Sequence, residues 1–261
     1  MTIFKTAIGQ GPDIVVLHGW SLDHRWVQPI VDQLEPHFRV TMVDLPGCGR
    51  SDWPPTIKTM HDLADQVVPQ LPEKAIYIGC SISGPIGISI AARYPDRVKH
   101  LIGIGAMPKF IADSDWIGVP QPGFAAMMVP TLQKEGYEST LRGFLDVEFN
   151  DMHPKPAAYE TLLKLLDSGY AEPDLSALAQ GLQIIDKTDL RSAFRSLTCR
   201  IDLIFGSLDA QAPAAGCEQI KALNPERTRT HIIDGAHHLS FWTHNEAFNK
   251  ILNNILTGES K

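Results

Sequence analysis

The chain has 261 residues, 44% of them hydrophobic and 20% charged, with a formal net charge of −7. This length and balance suit a single α/β core able to bury a sizeable interior. The acidic balance argues against a nucleic-acid partner, whose phosphates need a basic face, and no apolar run approaches the ~18 residues of a membrane span.

Four cysteines, Cys48, Cys80, Cys199 and Cys217, are scattered without CxxC spacing, so neither a disulfide scaffold nor a zinc knuckle is expected. Met1 to Lys5 does not open a charged segment followed by an apolar one, so no signal peptide is expected and a reduced, cytoplasmic setting is the default. The chain is expected to be a monomer.

Short apolar runs end in turn-forming residues along the first part of the chain. Ile14 to Leu17 runs into His18-Gly19, Val40 to Val43 into Asp44-Leu45-Pro46-Gly47-Cys48-Gly49, Ala75 to Ile78 into Gly79, and Leu101 to Ile104 follows. Helical patterns lie between them at Met60 to Gln70 and Pro85 to Tyr94. From about Phe110 to Asp186 no buried strand is evident, and helical patterns cover Phe124 to Lys134, Tyr137 to Glu148, Pro156 to Asp167 and Leu175 to Gln183. Strand runs resume at Asp202 to Phe205, ending at Gly206, and Thr230 to Ile233, ending at Asp234-Gly235. Alternation of this kind predicts an α/β fold, with a mostly parallel sheet covered by helices on both faces. The expected division is a first core part over 1–109, a helical lid over 110–187 and a second core part over 188–261. Function in such sheets collects at the carboxyl ends of the strands.

Tyr77-Ile78-Gly79-Cys80-Ser81-Ile82-Ser83-Gly84-Pro85 fits small-x-nucleophile-x-small between a strand and a helix, a relaxed form of the G-x-S-x-G elbow. Ser81 is the expected nucleophile. Ser83 and Cys80 are rivals whose flanking small residues fit less well, and a serine here could also serve only as a helix cap. Serine needs a base held by an acid, in the chain order Ser, Asp, His for this architecture. Asp209, in Phe205-Gly206-Ser207-Leu208-Asp209 just beyond a strand, occupies the acid's slot, whereas Asp202 opens that strand. The base lies at His237 or His238, and spacing does not choose between them. His231, within a strand, and His244, on the next helix, read as structural or solvated. Two backbone N–H groups should form an oxyanion hole, one from Ile82 and one from Trp20 in His18-Gly19-Trp20. The Trp20 ring serves equally as core packing or as a pocket wall.

These segments together resemble the α/β-hydrolase superfamily over nearly the full length. Within it, His18-Gly19-Trp20 and Gly181-Leu182-Gln183-Ile184-Ile185-Asp186-Lys187-Thr188-Asp189-Leu190-Arg191 resemble the BioH family, the pimeloyl-[acyl-carrier protein] methyl ester esterases. The resemblance implies His238 as the base, because Phe241, Thr243, His244 and Asn245 then fall in register with the family's tail. It implies a serine carboxylesterase with Ser81, Asp209 and His238 as catalytic residues, Trp20, Ile82 and Phe144 contacting substrate, and no metal or organic cofactor. The implied partner is an acyl ester carried on acyl-carrier protein. Three features depart from the family pattern: Cys80 replaces an aromatic residue, Ser83 replaces glycine, and the lid mixes Lys134, Arg142, Lys155 and Lys164 with Glu135, Glu138, Asp146, Glu148 and Asp151. Competing readings are a general short-chain carboxylesterase, a carbon–carbon bond hydrolase, and a non-catalytic ligand-binding protein on the same scaffold.

Overall fold

A computed structural model of the chain describes residues 2–170 and 173–258. Seven strands form one sheet: β1 (Lys5–Ile8), β2 (Asp13–Leu17), β3 (Arg39–Val43), β4 (Ala75–Cys80), β5 (Val98–Ile104), β6 (Arg200–Gly206) and β7 (Thr228–Ile233). Their spatial order is β1-β3-β2-β4-β5-β6-β7. Only β1 is antiparallel, pairing Lys5 with Val43 and Ile8 with Val40. The central strands are apolar because both their faces are covered: Val15, Val16, Ile78, Ile102 and Ile204 are wholly inaccessible. β1 was not expected from the sequence, since it is a mostly exposed edge strand with no apolar run.

Helices α1 (Gln28–Leu34), α2 (Met60–Val67) and α3 (Ser83–Arg93) accompany the first half of the sheet. Between β5 and β6 stand α4 (Phe124–Glu148), α5 (Ala157–Leu166), α6 (Leu175–Lys187) and the short α7 (Arg191–Arg195). α4 is two helical arms meeting at Gly136, whose φ of 82° breaks the helix between the two expected segments. The insertion is tied at its base by Asp186, whose carboxylate accepts from the N–H groups of Phe124 at 2.9 Å and Ala125 at 2.8 Å. These are unpaired donors of the first turn of α4, so α6 caps α4. The stretch before α4 also holds two isolated bridges, Ile111 with Val119 and Asp113 with Trp116, which the helical patterns did not foretell. α8 (Cys217–Leu223), α9 (Ser240–Thr243) and α10 (Asn245–Thr257) complete the second half. No described helix is long and apolar enough to cross a membrane. The last residues of the expected second core part, 259–261, lie outside the described residues.

Candidate active site

The strands β4, β6 and β7 deliver the expected residues to one end of the sheet. β4 ends at Cys80 and α3 begins at Ser83, leaving Ser81 in the turn with φ 55°. A non-glycine residue adopts that conformation only where its surroundings hold it there. The turn is tight: a Cβ on Gly79 would lie 2.6 Å from the Ser83 carbonyl carbon and 2.8 Å from the Gly84 nitrogen. Ser83 is fully buried, and its hydroxyl donates to the His18 carbonyl oxygen at 2.5 Å. That bond engages one rival nucleophile in joining the elbow to the loop after β2. The other rival, Cys80, is buried, and burial pushes its thiol pKa well up, leaving it inert as a thiolate.

The loop after β2 is organised by His18. Its Nε2 accepts from Leu45 N–H at 2.9 Å, so Nδ1 carries the proton and donates to the Gly19 carbonyl at 2.7 Å. Burial holds the ring neutral by lowering its pKa, against the pull of Asp44. Gly19 stands close to the elbow, and a Cβ there would be 3.5 Å from the Ser81 Cβ. The backbone N–H groups of Trp20 and Ile82 have no acceptor among the described residues.

The adjacent histidines diverge. His238 Nδ1 lies 2.8 Å from Asp209 Oδ2, with both residues buried. His237 turns instead toward the insertion, with Nε2 3.5 Å from Asp151. Asp209 is held by its own loop, where Oδ1 accepts from Gln211 N–H at 2.8 Å and Ala212 N–H at 2.9 Å. The ring of His238 is pulled two ways: burial disfavours its charge, and Asp209 beside it, aided by Glu148, outweighs burial and raises its pKa. Ser81 and His238 line one cavity, and neither Ser81 Oγ nor His238 Nε2 has a hydrogen-bond partner among the described residues. Contacts of this kind commonly close only with substrate bound.

The cavity is walled by Trp20, Trp26, Phe110, Phe124, Phe144 and Phe241 among others. Trp20 and Phe144 are thus both on the wall that Ser81 and His238 face. Trp20 is pinned by its indole N–H, which donates to the Leu178 carbonyl on α6 at 2.9 Å. Ile82, also expected to meet substrate, lines a neighbouring cavity with Leu45, Pro46 and Trp53.

Two participants were not anticipated. Gly105 follows β5 with φ 53°, and a Cβ there would sit 2.8 Å from His238 Nδ1 and 3.1 Å from Asp209 Oδ2. Glu148, the last residue of α4, is buried and accepts from Leu239 N–H at 2.7 Å. A sequence signal for it existed: Leu141, Leu145 and Glu148 follow the i, i+4, i+7 spacing of one buried helix face. Among the described residues one group could offer ligands to a cation, Asp23, His24 and Asp44, whose atoms lie within 4.8 Å of one another. Arg25 already pairs with Asp23, and His24 with Asp44 at 2.8 Å, so donors rather than vacant lone pairs fill that space.

Comparisons with known proteins match this fold. The profile of the family described as alpha/beta hydrolase fold matches residues 12–245. The pimeloyl-[acyl-carrier protein] methyl ester esterase of Vibrio campbellii is 32% identical over 244 residues, covering 93% of each chain. That of Pseudoalteromonas atlantica is 33% identical over 254 residues, covering 95% of each. Among solved structures, an esterase from Exiguobacterium antarcticum superposes with a TM-score of 0.85 at 22% identity, covering 98% of this chain and 95% of that one. A bromoperoxidase from Bacillus anthracis gives 0.86 at 20% identity over 98% and 95%; these two show the fold. The chain belongs to the α/β-hydrolase family, alongside the pimeloyl-[acyl-carrier protein] methyl ester esterases of the BioH family. It is an enzyme, a carboxylic ester hydrolase of that fold.

Proposed function

We propose that this enzyme hydrolyses the methyl ester of pimeloyl-[acyl-carrier protein], in biotin synthesis, through an acyl-enzyme formed on Ser81. The observation that carries the reading is the relationship, at 30–33% identity over more than nine-tenths of the chain, to esterases bearing that name. Ser81 Oγ attacks the ester carbonyl while His238 Nε2 takes its proton. The proton is returned to the departing methoxide, which leaves as methanol, and water repeats the cycle on the acyl-enzyme. Asp209 holds the imidazole with Nδ1 protonated, so that Nε2 is free to act as the base. The N–H groups of Trp20 and Ile82 receive the oxyanion, and the N-terminus of α3 adds its dipole. The insertion α4–α6 acts as a lid that walls the cavity and excludes water.

A second reading, a general short-chain carboxylesterase, is favoured by the charges on the insertion. Arg142 is paired with Glu138 and Asp167, Lys134 with Glu135, and Lys155 donates to the Phe149 carbonyl at 2.5 Å. Cations so engaged offer less to an acidic carrier than free ones would. The deciding experiment compares carrier-bound pimeloyl methyl ester with p-nitrophenyl esters of graded length. Preferential cleavage of the carrier-bound ester supports the first reading, and cleavage of the small esters alone replaces it with the second.

A further inference from the structure

Glu148 has no part in the triad, yet it is among the most deeply buried carboxylates of the chain, with 2% of its surface exposed. It ends the long helix of the insertion, and its side chain crosses to the core. One oxygen, Oε2, accepts at 2.7 Å from the N–H of Leu239, the residue after His238. The other, Oε1, accepts at 3.4 Å from Gln211 Nε2, two residues after Asp209. The carboxylate therefore touches both loops that carry the His238–Asp209 pair, and it comes from the element that covers the cavity. The titratable groups facing it are His238 and His237 on one loop and Asp209 on the other. Two accepted hydrogen bonds suit an ionised carboxylate, which has only lone pairs to offer. An unpaired carboxylate at this depth would be costly, so the helix must be seated with these donors in place.

We propose that Glu148 is a positioning residue, fastening the His238 loop to the Asp209 loop so that the pair adopts its working geometry only when the long helix of the insertion is seated. The proposal rests on His238 being the base. Its negative charge also favours the imidazolium that forms during proton transfer. Burial raises the Glu148 carboxyl pKa above the ordinary carboxylate range, against the smaller opposing pull of His238 and the Leu239 N–H.

The test measures p-nitrophenyl butyrate hydrolysis from about pH 5 to about pH 9, with thermal melting, for the wild type, Glu148→Ala, Glu148→Gln and His238→Ala. Glu148→Ala is expected to lower kcat roughly 10- to 100-fold with KM within about threefold, the scale of a small misplacement of reacting groups. Glu148→Gln keeps an acceptor for Leu239 N–H and is expected to restore most of kcat. Its acid limb should move to lower pH, because an anion beside His238 has been removed. The proposal is overturned if Glu148→Ala stays within about twofold of wild type in kcat, or if Glu148→Gln is as slow as Glu148→Ala with an unmoved acid limb. If Glu148→Ala fails to fold, the pH profile of Glu148→Gln decides alone. A nearly fully active His238→Ala would remove the base assignment itself. Loss of activity in His238→Ala beside unaffected Glu148 variants would remove only the positioning role.

Discussion

Strand β6 carries an aspartate near its start and leads into another just past its end, and each meets histidine. Asp202 accepts from His100 Nε2 at 2.8 Å on β5, from His231 Nε2 at 2.7 Å on β7, and from Arg200 Nε at 2.8 Å on β6 itself. Asp209 accepts from two N–H groups of its own loop and from one imidazole. Both carboxylates are wholly buried and both hold three donors, so neither burial nor saturation separates them. The donors separate them. Asp202 is bound by three side chains from three adjacent strands, which makes it a cross-strand clamp at the amino ends of the sheet. Asp209 is fixed by main chain and spends its remaining oxygen on a single imidazole, whose other nitrogen is unengaged beside an apolar cavity and a strained serine. The same pair of residue types thus clamps a sheet where the carboxylate joins three strands, and can move a proton where its one imidazole faces a cavity and a serine.

The largest expected effect is on the open side. Ser81→Ala should lower kcat by about 10⁴-fold or more and abolish labelling by a fluorophosphonate probe, with melting close to wild type. Persistent labelling would place the reactive nucleophile elsewhere and dissolve the contrast. Asp209→Asn should cost roughly 10³- to 10⁴-fold in kcat, because the amide no longer holds the imidazole in the required tautomer. The matching change on the closed side, Asp202→Asn, should leave kcat per folded molecule at the wild-type level. It should destabilise the fold by about 3 kcal/mol, since His100, His231 and Arg200 lose the charge they surround. Urea unfolding near neutral pH together with initial rates on the same preparations measures both. An Asp202→Asn enzyme as inactive as Asp209→Asn would show that the two clusters are not distinct in role.

The central parallel strands were legible because they are short runs rich in Val, Ile and Leu followed by glycine or aspartate, and strands buried on both faces have that composition; β7, at the other edge, showed itself only by Ile232-Ile233 before Asp234-Gly235. β1 was not legible, since an edge strand packed on one side carries no apolar run. The elbow could be read because Gly79, Ser81 and Ser83 are local in sequence and their turn has one steric solution. The Asp202 clamp could not: His100 stands 102 residues away from it, and only strand register brings them together. The choice between His237 and His238 depended on which way each side chain leaves a turn, and spacing carries no such direction. Glu148 lay in plain view as an acid on an apolar helix face, but what it touches is set by how the insertion docks.

The smallest effect asks for the two clusters to respond to different pH ranges. Burial disfavours charge on His238, and Asp209 with its hydrogen bond overcomes this, holding the ring's pKa above its ordinary 6.5. A base must be neutral, so kcat/KM should fall as pH drops through a midpoint above 6.5, while the charged ring still contributes to stability on that acid side. Burial works to raise the pKa of Asp202, but hydrogen bonds from His100 and His231 outweigh it and depress the value far below the ordinary carboxylate range. A depressed carboxylate contributes stability that is present above its unfolded value of about 3.9 and is lost only as pH falls toward the folded value. Between about pH 4 and about pH 5 the enzyme should therefore be folded and nearly inactive, and return to about pH 8 should restore its rate at once. Tryptophan fluorescence recorded beside initial rates across that range tests this directly. Coincident loss of both signals would mean that the clamp and the proposed triad respond as one unit, and the contrast between them would fail.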